Sequence, residues 1–289
     1  MNSTTSDAVT LDSSHRTRPL AVIEPERSLF YLDLKSIWEH RDLLVFLVWR
    51  DVKIRYKQTA IGITWVVLQP VLTMILFSLV FGRFAKIPSE GLPYPIFFYA
   101  GLLPWNLFAN SLSRSSDSVV GSANLISKIY FPRLVLPLAA VFSPLIDFAF
   151  AFIVLIGMML WFDVTPGWGV LLLPLFIVLA VVTSLAVSLW LSAFNVRYRD
   201  VAYAVPFVTQ LWMFASPVAY PTSIIPDQWR GLYSVNPMAG VIEGFRWALL
   251  GNNSPDFRVI GISAVTVAAL LLPALIYFRH TERTFADIV

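Results

Sequence analysis

The sequence predicts an all-α integral membrane protein. Hydrophobic residues make up 57% of the 289 residues and charged residues only 13%, whereas soluble domains have about 45–50% and about 25%. Six apolar segments approach or exceed the roughly 20 residues that a helix needs to cross a bilayer. Lysine and arginine flank these segments and favour one side of the membrane. The composition therefore excludes a soluble globular domain and a disordered chain.

The chain begins with a polar extension and an amphipathic segment. Residues 1–28 are rich in Ser, Thr and charge and are predicted to be disordered, so residues 29–289 form a single transmembrane domain. Residues 33–57 are charged at both ends, and their apolar middle is too short to span. They predict an interface helix that either anchors the chain to the membrane surface or docks a partner.

Six transmembrane helices follow. The strongest apolar segments contain only one charged residue, Asp147. The loops and tails on the side of the two termini hold 16 Lys and Arg, against 5 on the other side, which predicts that both termini are cytoplasmic. The predicted spans are residues 60–82, 92–113, 134–162, 169–194, 201–220 and 259–278.

Residues 221–253 fit neither a span nor a simple loop. Pro and Gly interrupt them, and residues 238–250 between these breaks form an apolar helix that is too short to cross. Glu243 and Arg246 lie at i, i+3 spacing on that helix. We expect an extracytoplasmic re-entrant helical hairpin, because irregular backbone at membrane depth requires protein or a water-filled cavity around it. An ordinary extracytoplasmic loop is the alternative.

No catalytic or cofactor-binding pattern is present. The chain has no Cys and no Gly-Lys dipeptide, and its three histidines are far apart, so it lacks a phosphate-binding loop and clustered metal ligands. The basic residues flank apolar segments, which indicates membrane orientation rather than nucleic-acid binding. We therefore predict a non-catalytic chain that binds no metal or cofactor and takes energy for transport from a partner or an ion.

Asp147 has two interpretations. A carboxylate in hydrocarbon is costly and must face other helices or water. It could couple transport to an ion, or it could hydrogen-bond to Ser143 or to a neighbouring span. Proton and ion relays generally use several ionisable groups, so the sequence favours the hydrogen bond.

Several short motifs follow one another between about residue 30 and the C-terminus. They are RDVKIRYKQT at 50–59, LQP at 68–70, GLLPW at 101–105, NLISKIYFPR at 124–133, RYRD at 197–200, SP at 216–217 and NPM at 236–238. In this order they resemble the permease subunits of type 2 ATP-binding-cassette exporters, in the branch that exports O-antigen, capsule and teichoic acid. Each motif is modest alone, and their shared order carries the resemblance.

The resemblance implies a homodimer with two separate ATPase subunits that bind ATP and Mg²⁺. It implies export of a lipid-linked polysaccharide across the bacterial inner membrane. Residues 33–57 would lie beside the ATPase, residues 115–133 would supply the coupling helix, and residues 197–200 would be either a further contact or a basic turn that sets topology. The implied coupling residues are Arg50, Asp51, Arg55, Asn124, Lys128, Tyr130 and Arg133. The implied outer-gate residues are Asn236, Glu243 and Arg246.

Aromatic residues make up 15% of the chain. Aromatic rings stack on the C–H faces of sugars, although Trp and Tyr also form interfacial belts in any membrane protein. The candidate rings for a substrate path are Trp65, Phe77, Tyr99, Trp105, Phe207, Trp212 and Tyr220. Three other functions stay open: a type 2 exporter of a drug or small lipid, an ion-coupled secondary transporter or channel that uses Asp147, and a membrane enzyme acting on lipids.

Overall fold

A computed structural model describes residues 34–57, 62–251, 255–282 and 285. The predicted disorder of residues 1–28 lies outside this part of the chain. Within it the protein is all-helical, without a strand. The α-helices are α1 (Leu34–Glu39), α2 (Arg41–Lys57), α3 (Ile63–Phe77), α4 (Tyr94–Ser118), α5 (Ala123–Ile126), α6 (Val135–Phe142), α7 (Pro144–Trp161), α8 (Leu173–Arg197), α9 (Val201–Phe214), α10 (Asp227–Tyr233), α11 (Pro237–Leu250) and α12 (Phe257–Glu282). A π-helix at Ser78–Phe84 prolongs α3, and 3₁₀ turns occupy Val120–Ser122, Trp168–Leu172 and Thr222–Ile224.

Four helical stretches of the described chain are long and apolar enough to cross a membrane. The second predicted span lies in α4, which has 25 residues and carries Arg114 and Asp117 near its end. The fifth lies in α9, which has 14 residues and is short of the roughly 20 needed. The number of six spans therefore stays a prediction. The four stretches are Thr64–Phe84, Val135–Trp161, Trp168–Arg197 and Phe257–Glu282.

Three predicted segments have different internal boundaries in the structure. The interface segment is divided at His40 into α1 and α2. The third predicted span comprises α6 and α7, which meet at Ser143 because Pro144 has no backbone N–H to continue the helical ladder. The segment 115–133 begins inside α4, which runs to Ser118, so its only separate α-helix is the single turn α5.

Helix α4 lies at the centre of the bundle and contacts α3, α6, α7, α8, α9 and α11. We call one extremity of the bundle the α2 end. There α2 and residues 119–136 share an apolar core with the C-terminal parts of α8 and α12. The opposite extremity, the α11 end, places α11 against α4, α8 and α12. Every residue of α11 except Glu243 is buried, so α11 is packed as a core helix rather than as a surface loop.

Candidate functional site

At the α2 end, Asp147 joins two helices that are far apart in sequence. Asp147 lies in the first turn of α7, and its carboxylate forms an ion pair with Arg55 near the end of α2. The Tyr56 hydroxyl donates a hydrogen bond to the same carboxylate. The Arg55 guanidinium also lies 3.5 Å from the Ser143 hydroxyl. We call these four residues the Asp147 cluster. Asp147 thus bonds to α2, and Ser143 contacts Arg55, the ion-pair partner of Asp147.

The Asp147 cluster is largely shielded from water within a single chain. The Arg55 side chain is 17% exposed and the Asp147 side chain 13% exposed. Burial lowers the pKa of Arg55, although Tyr56 and Asp51 oppose this shift. The geometry is that of a partly buried ion pair with a tyrosine hydrogen bond.

Arg50 and Asp51 bond to each other rather than to another helix, with Arg50 Nη2 2.8 Å from Asp51 Oδ1. They line a cavity of about 310 Å³ between α2, α4 and α6. Arg114 and Asp117 of α4 line the same cavity. Sequence reasoning missed these two residues, although two charges directly after a predicted span were a visible signal.

The turn at residues 124–130 presents an exposed tip on a buried base. Ile126 and Phe131 are buried in the apolar core of the α2 end, which fixes the turn at both sides. Tyr130, which lies between them, is 99% exposed. Asn124 and Lys128 are exposed as well. Such a tip can enter a cleft on a partner without disturbing the core.

Arg133 has a different role from this tip. Its backbone N–H donates to Glu282 Oε1 at 2.8 Å, and its guanidinium donates to the Glu282 carbonyl. These bonds attach the start of α6 to the last residue of α12. Of the predicted coupling residues, Asn124, Lys128 and Tyr130 therefore lie together on the surface, whereas Arg55 and Arg133 bond within the chain.

The candidate aromatic residues fall into exposed, intermediate and buried groups. Trp65 on α3 and Phe207 on α9 are 53% and 65% exposed. Phe77, Trp212 and Tyr220 are half-buried, and Phe77 stacks on Phe98 with ring centroids 4.7 Å apart. Tyr99 and Trp105 are buried in the core, and the Tyr99 hydroxyl donates to the Ala151 carbonyl at 3.2 Å. The structure does not bring the seven rings into one surface.

At the α11 end, a buried arginine binds backbone carbonyls instead of a carboxylate. Arg246 is 6% exposed. It donates to the Phe97 carbonyl at 3.1 Å, the Val218 carbonyl at 2.5 Å and the Tyr220 carbonyl at 3.3 Å. Its guanidinium carbon also lies 3.7 Å from the centroid of the Phe97 ring. Arg246 therefore holds α11 against α4 and against the segment that follows α9.

Asn236 caps α11 and connects it to α9. Its Oδ1 accepts from the Met238 backbone N–H and from Trp212 Nε1, both at 3.1 Å. Its Nδ2 donates to the Ala215 carbonyl at 3.0 Å and to the Ser216 hydroxyl at 2.9 Å. An asparagine that satisfies both its oxygen and its nitrogen in this way fixes the direction in which α11 enters the bundle.

Glu243 bonds to Thr222, whose hydroxyl donates to Oε2 at 2.9 Å. None of the ion pairs formed by the described residues joins Glu243 to Arg246, one turn further along. Burial raises the pKa of Glu243, and the Thr222 hydrogen bond and the charge of Arg246 oppose the shift. The described residues also contain no group of three or more His, Asp or Glu that could hold a metal ion.

The family model described as ABC-2 type transporter matches residues 42–250. This chain belongs to the ABC-2 type transporter family. It is 29% identical to an O-antigen export system permease protein RfbA of Myxococcus xanthus, over 88% of this chain and 98% of that protein. It is 29% identical to an RfbA of Klebsiella pneumoniae, over 86% and 95%. It is 22% identical to the polysialic acid transport protein KpsM of Escherichia coli, over 81% and 91%.

Within this ABC-2 permease, the matched range holds the Asp147 cluster, the exposed tip at residues 124–130 and the Arg246 contacts. The partner of Arg133, Glu282, lies beyond it. Both polar regions therefore belong to the part of the chain that carries the family resemblance.

Proposed function

We propose that this chain is the membrane subunit of an ATP-driven exporter that moves a lipid-linked polysaccharide of O-antigen type across the bacterial inner membrane. The observation that carries the proposal is near full-length similarity to proteins named for the export or transport of two polysaccharides, O-antigen and polysialic acid. The chain has no phosphate-binding loop, so two separate ATPase subunits would bind ATP and Mg²⁺.

The proposed topology has six spans with both termini in the cytoplasm, so that the α2 end is cytoplasmic. The charge distribution supports this orientation. The α10–α11 pair would be the re-entrant hairpin on the outer side. Phe245 of α11 packs against Phe148 of α7, with ring centroids 5.8 Å apart. Phe148 directly follows Asp147, which contacts α2 at the proposed cytoplasmic end, so this packing supports deep insertion of α11.

A homodimer is proposed through the faces of α3 and α9. Both helices pack on α4, and Phe77 of α3 lies 6.3 Å from Phe214 of α9 between ring centroids. Their outward faces are apolar and exposed, including Trp65 on α3 and Phe207 on α9. In the dimer these two rings would border the path, where many weak stacking contacts suit a sliding sugar polymer. The burial of Tyr99 and Trp105 argues for a core role of these two side chains.

Co-expression with an ATP-binding-cassette ATPase tests the proposal. A complex of two permeases and two ATPases should copurify in detergent and hydrolyse ATP faster when lipid-linked polysaccharide is added. Stimulation by small lipids or drugs instead would indicate a different cargo. A permease that stays alone with each ATPase offered, and transports in liposomes under an ion gradient, would contradict the proposal.

The exposed tip gives a sharper test of coupling. Tyr130→Ala and Lys128→Ala remove side chains that make no contribution to the core, so the permease should fold normally. In the reconstituted complex we expect export per ATP hydrolysed to fall about tenfold, within the range typical of coupling between sites. Trp229→Ala, which removes an exposed aromatic ring of α10 at the opposite extremity, is the control. Normal export by both tip variants would show that the tip is not the coupling element.

A further inference from the structure

Helix α2 is attached to the bundle by two different kinds of contact. Leu47 and Val52 are buried, and α2 packs along α6. Its other face is exposed and mixes basic and apolar side chains, with Phe46, Trp49 and Ile54 each more than half exposed. The backbone of α2 makes few close approaches to α7. The connection between these two helices therefore depends on the side chains of Arg55, Tyr56 and Asp147.

From Asp147 a continuous series of contacts leads to the α11 end. Phe148, the next residue of α7, packs edge-to-face on Phe245 of α11. Arg246 follows Phe245 and binds the carbonyls of Phe97, Val218 and Tyr220. Of these two adjacent residues of α7, Asp147 thus bonds to α2 and Phe148 packs against α11.

We propose that Asp147 is a positioning residue that couples movement of α2 to movement of α7 and, through Phe148 and Phe245, to α11. This inference rests on the proposed function, because α2 would be moved by the ATPase. Asp147 acts here through Arg55 and Tyr56 and carries no transported ion. Its ion pair is directional and partly buried, and removing one partner leaves the other charge without compensation.

The test uses the permease reconstituted with its ATPase in liposomes. Asp147→Asn and Arg55→Gln should each retain ATP hydrolysis and lose about tenfold in export per ATP, as coupling energies of this kind imply. The double variant Arg55→Asp with Asp147→Arg restores opposite charges and should recover most of the export. Tyr56→Phe, which keeps the ion pair and removes one hydrogen bond, should lose less than either single charge variant.

Asp163→Asn is the matched control, since it removes the same charge from an exposed position after α7 that takes part in none of the ion pairs of the described residues. It should export like the unmodified protein. If the charge variants fail to assemble with the ATPase, Tyr56→Phe still tests the proposal, because its loss of hydrogen bonding should lower export per ATP without affecting assembly.

A distance measurement separates coupling from a merely structural role. The chain has no Cys, so spin labels can be placed by Lys53→Cys on α2 and Leu232→Cys on α10, both exposed positions. ATP should change the distance between the two labels in the otherwise unmodified protein, and Asp147→Asn should abolish that change while ATP hydrolysis continues.

The outcomes are distinguishable. Equal export and an equal distance change with Asp147→Asn would overturn this inference and leave the proposed function intact. A swapped double variant no better than the single variants would also overturn it. Absence of ATP-driven export from the unmodified complex would instead refute the proposed function. Transport by the permease alone under an ion gradient, abolished by Asp147→Asn, would refute both.

Discussion

The two ends of this permease each bury an arginine and bind it in opposite ways. At the α11 end, Arg246 donates to three backbone carbonyls and stacks over the Phe97 ring. At the α2 end, Arg55 pairs with the Asp147 side chain, beside the hydroxyl of Tyr56. A carbonyl network is part of the backbone and changes only when the fold changes. An ion pair between side chains can separate and form again while both helices stay intact.

The helices that carry the two arginines also differ in how closely they are packed, and α11 is the more buried of the two. Nearly every residue of α11 is buried, and two of its glycines permit very close approach to other helices. Helix α2 has two buried residues in its 17. From this comparison we expect the α11 end to move as one rigid body and α2 to be the more easily displaced element. The following predictions test this difference, beginning with the largest expected effect.

Arg246→Ala should cause the largest loss of stability. It removes a donor from three backbone carbonyls in a buried site, and a buried group left unsatisfied costs about 1–3 kcal/mol. We expect little monodisperse permease in detergent by size-exclusion chromatography. Gly101→Ala tests the same contact from α4, because its added Cβ would lie 2.6 Å from Arg246 Nη2. An Arg246→Ala variant with unchanged yield and melting temperature would contradict a structural role for these bonds.

Gly240→Ala and Gly244→Ala should cause an intermediate loss. An added Cβ at Gly240 would lie 2.6 Å from the Ser263 Cβ and 2.9 Å from the Ile260 Cα, whereas one at Gly244 would lie 2.1 Å from the Phe176 ring. Overpacking of this kind costs about 1–3 kcal/mol. Gly261→Ala is the matched control, since an added Cβ there meets nothing within 4 Å. Thermal unfolding in detergent should lower the melting temperature for the first two variants only, and equal melting temperatures for all three would refute the close packing.

The sequence singled out important polar residues at both ends, but it did not indicate which residues they contact. The length of the apolar segments predicted the positions of the long helices, because that signal depends on local composition. The Asp147 contact joins positions 91 residues apart, and no local pattern indicates which side chain packing brings to a lone carboxylate. The sequence predicted a hydrogen bond to Ser143 or to a neighbouring span, and in the structure Asp147 instead contacts Arg55 and Tyr56 of α2. Likewise the i, i+3 spacing of Glu243 and Arg246 does not show that both bond elsewhere.

Glu243 and Asp147 provide the most direct comparison. Replacing each carboxylate by its amide should have a large effect at Asp147 and a small effect at Glu243. Asp147→Asn removes the charge that compensates Arg55. Glu243→Gln removes a charge that no described ion pair uses, and it keeps an oxygen to accept from the Thr222 hydroxyl. We therefore expect Glu243→Gln to have the smallest effect on stability and on export.

The pH dependence of that small effect has a definite sign. Burial raises the pKa of Glu243 in the folded protein, with the charges of Glu90 and Asp256 acting in the same direction and Arg246 in the opposite one. A carboxyl group with a raised folded pKa contributes stability below its unfolded pKa and loses it as pH rises through the folded value. Glutamine cannot ionise, so Glu243→Gln should gain stability relative to the unmodified protein as pH rises. Melting temperatures of both proteins across that range measure the difference, and a difference independent of pH would contradict the raised pKa of Glu243.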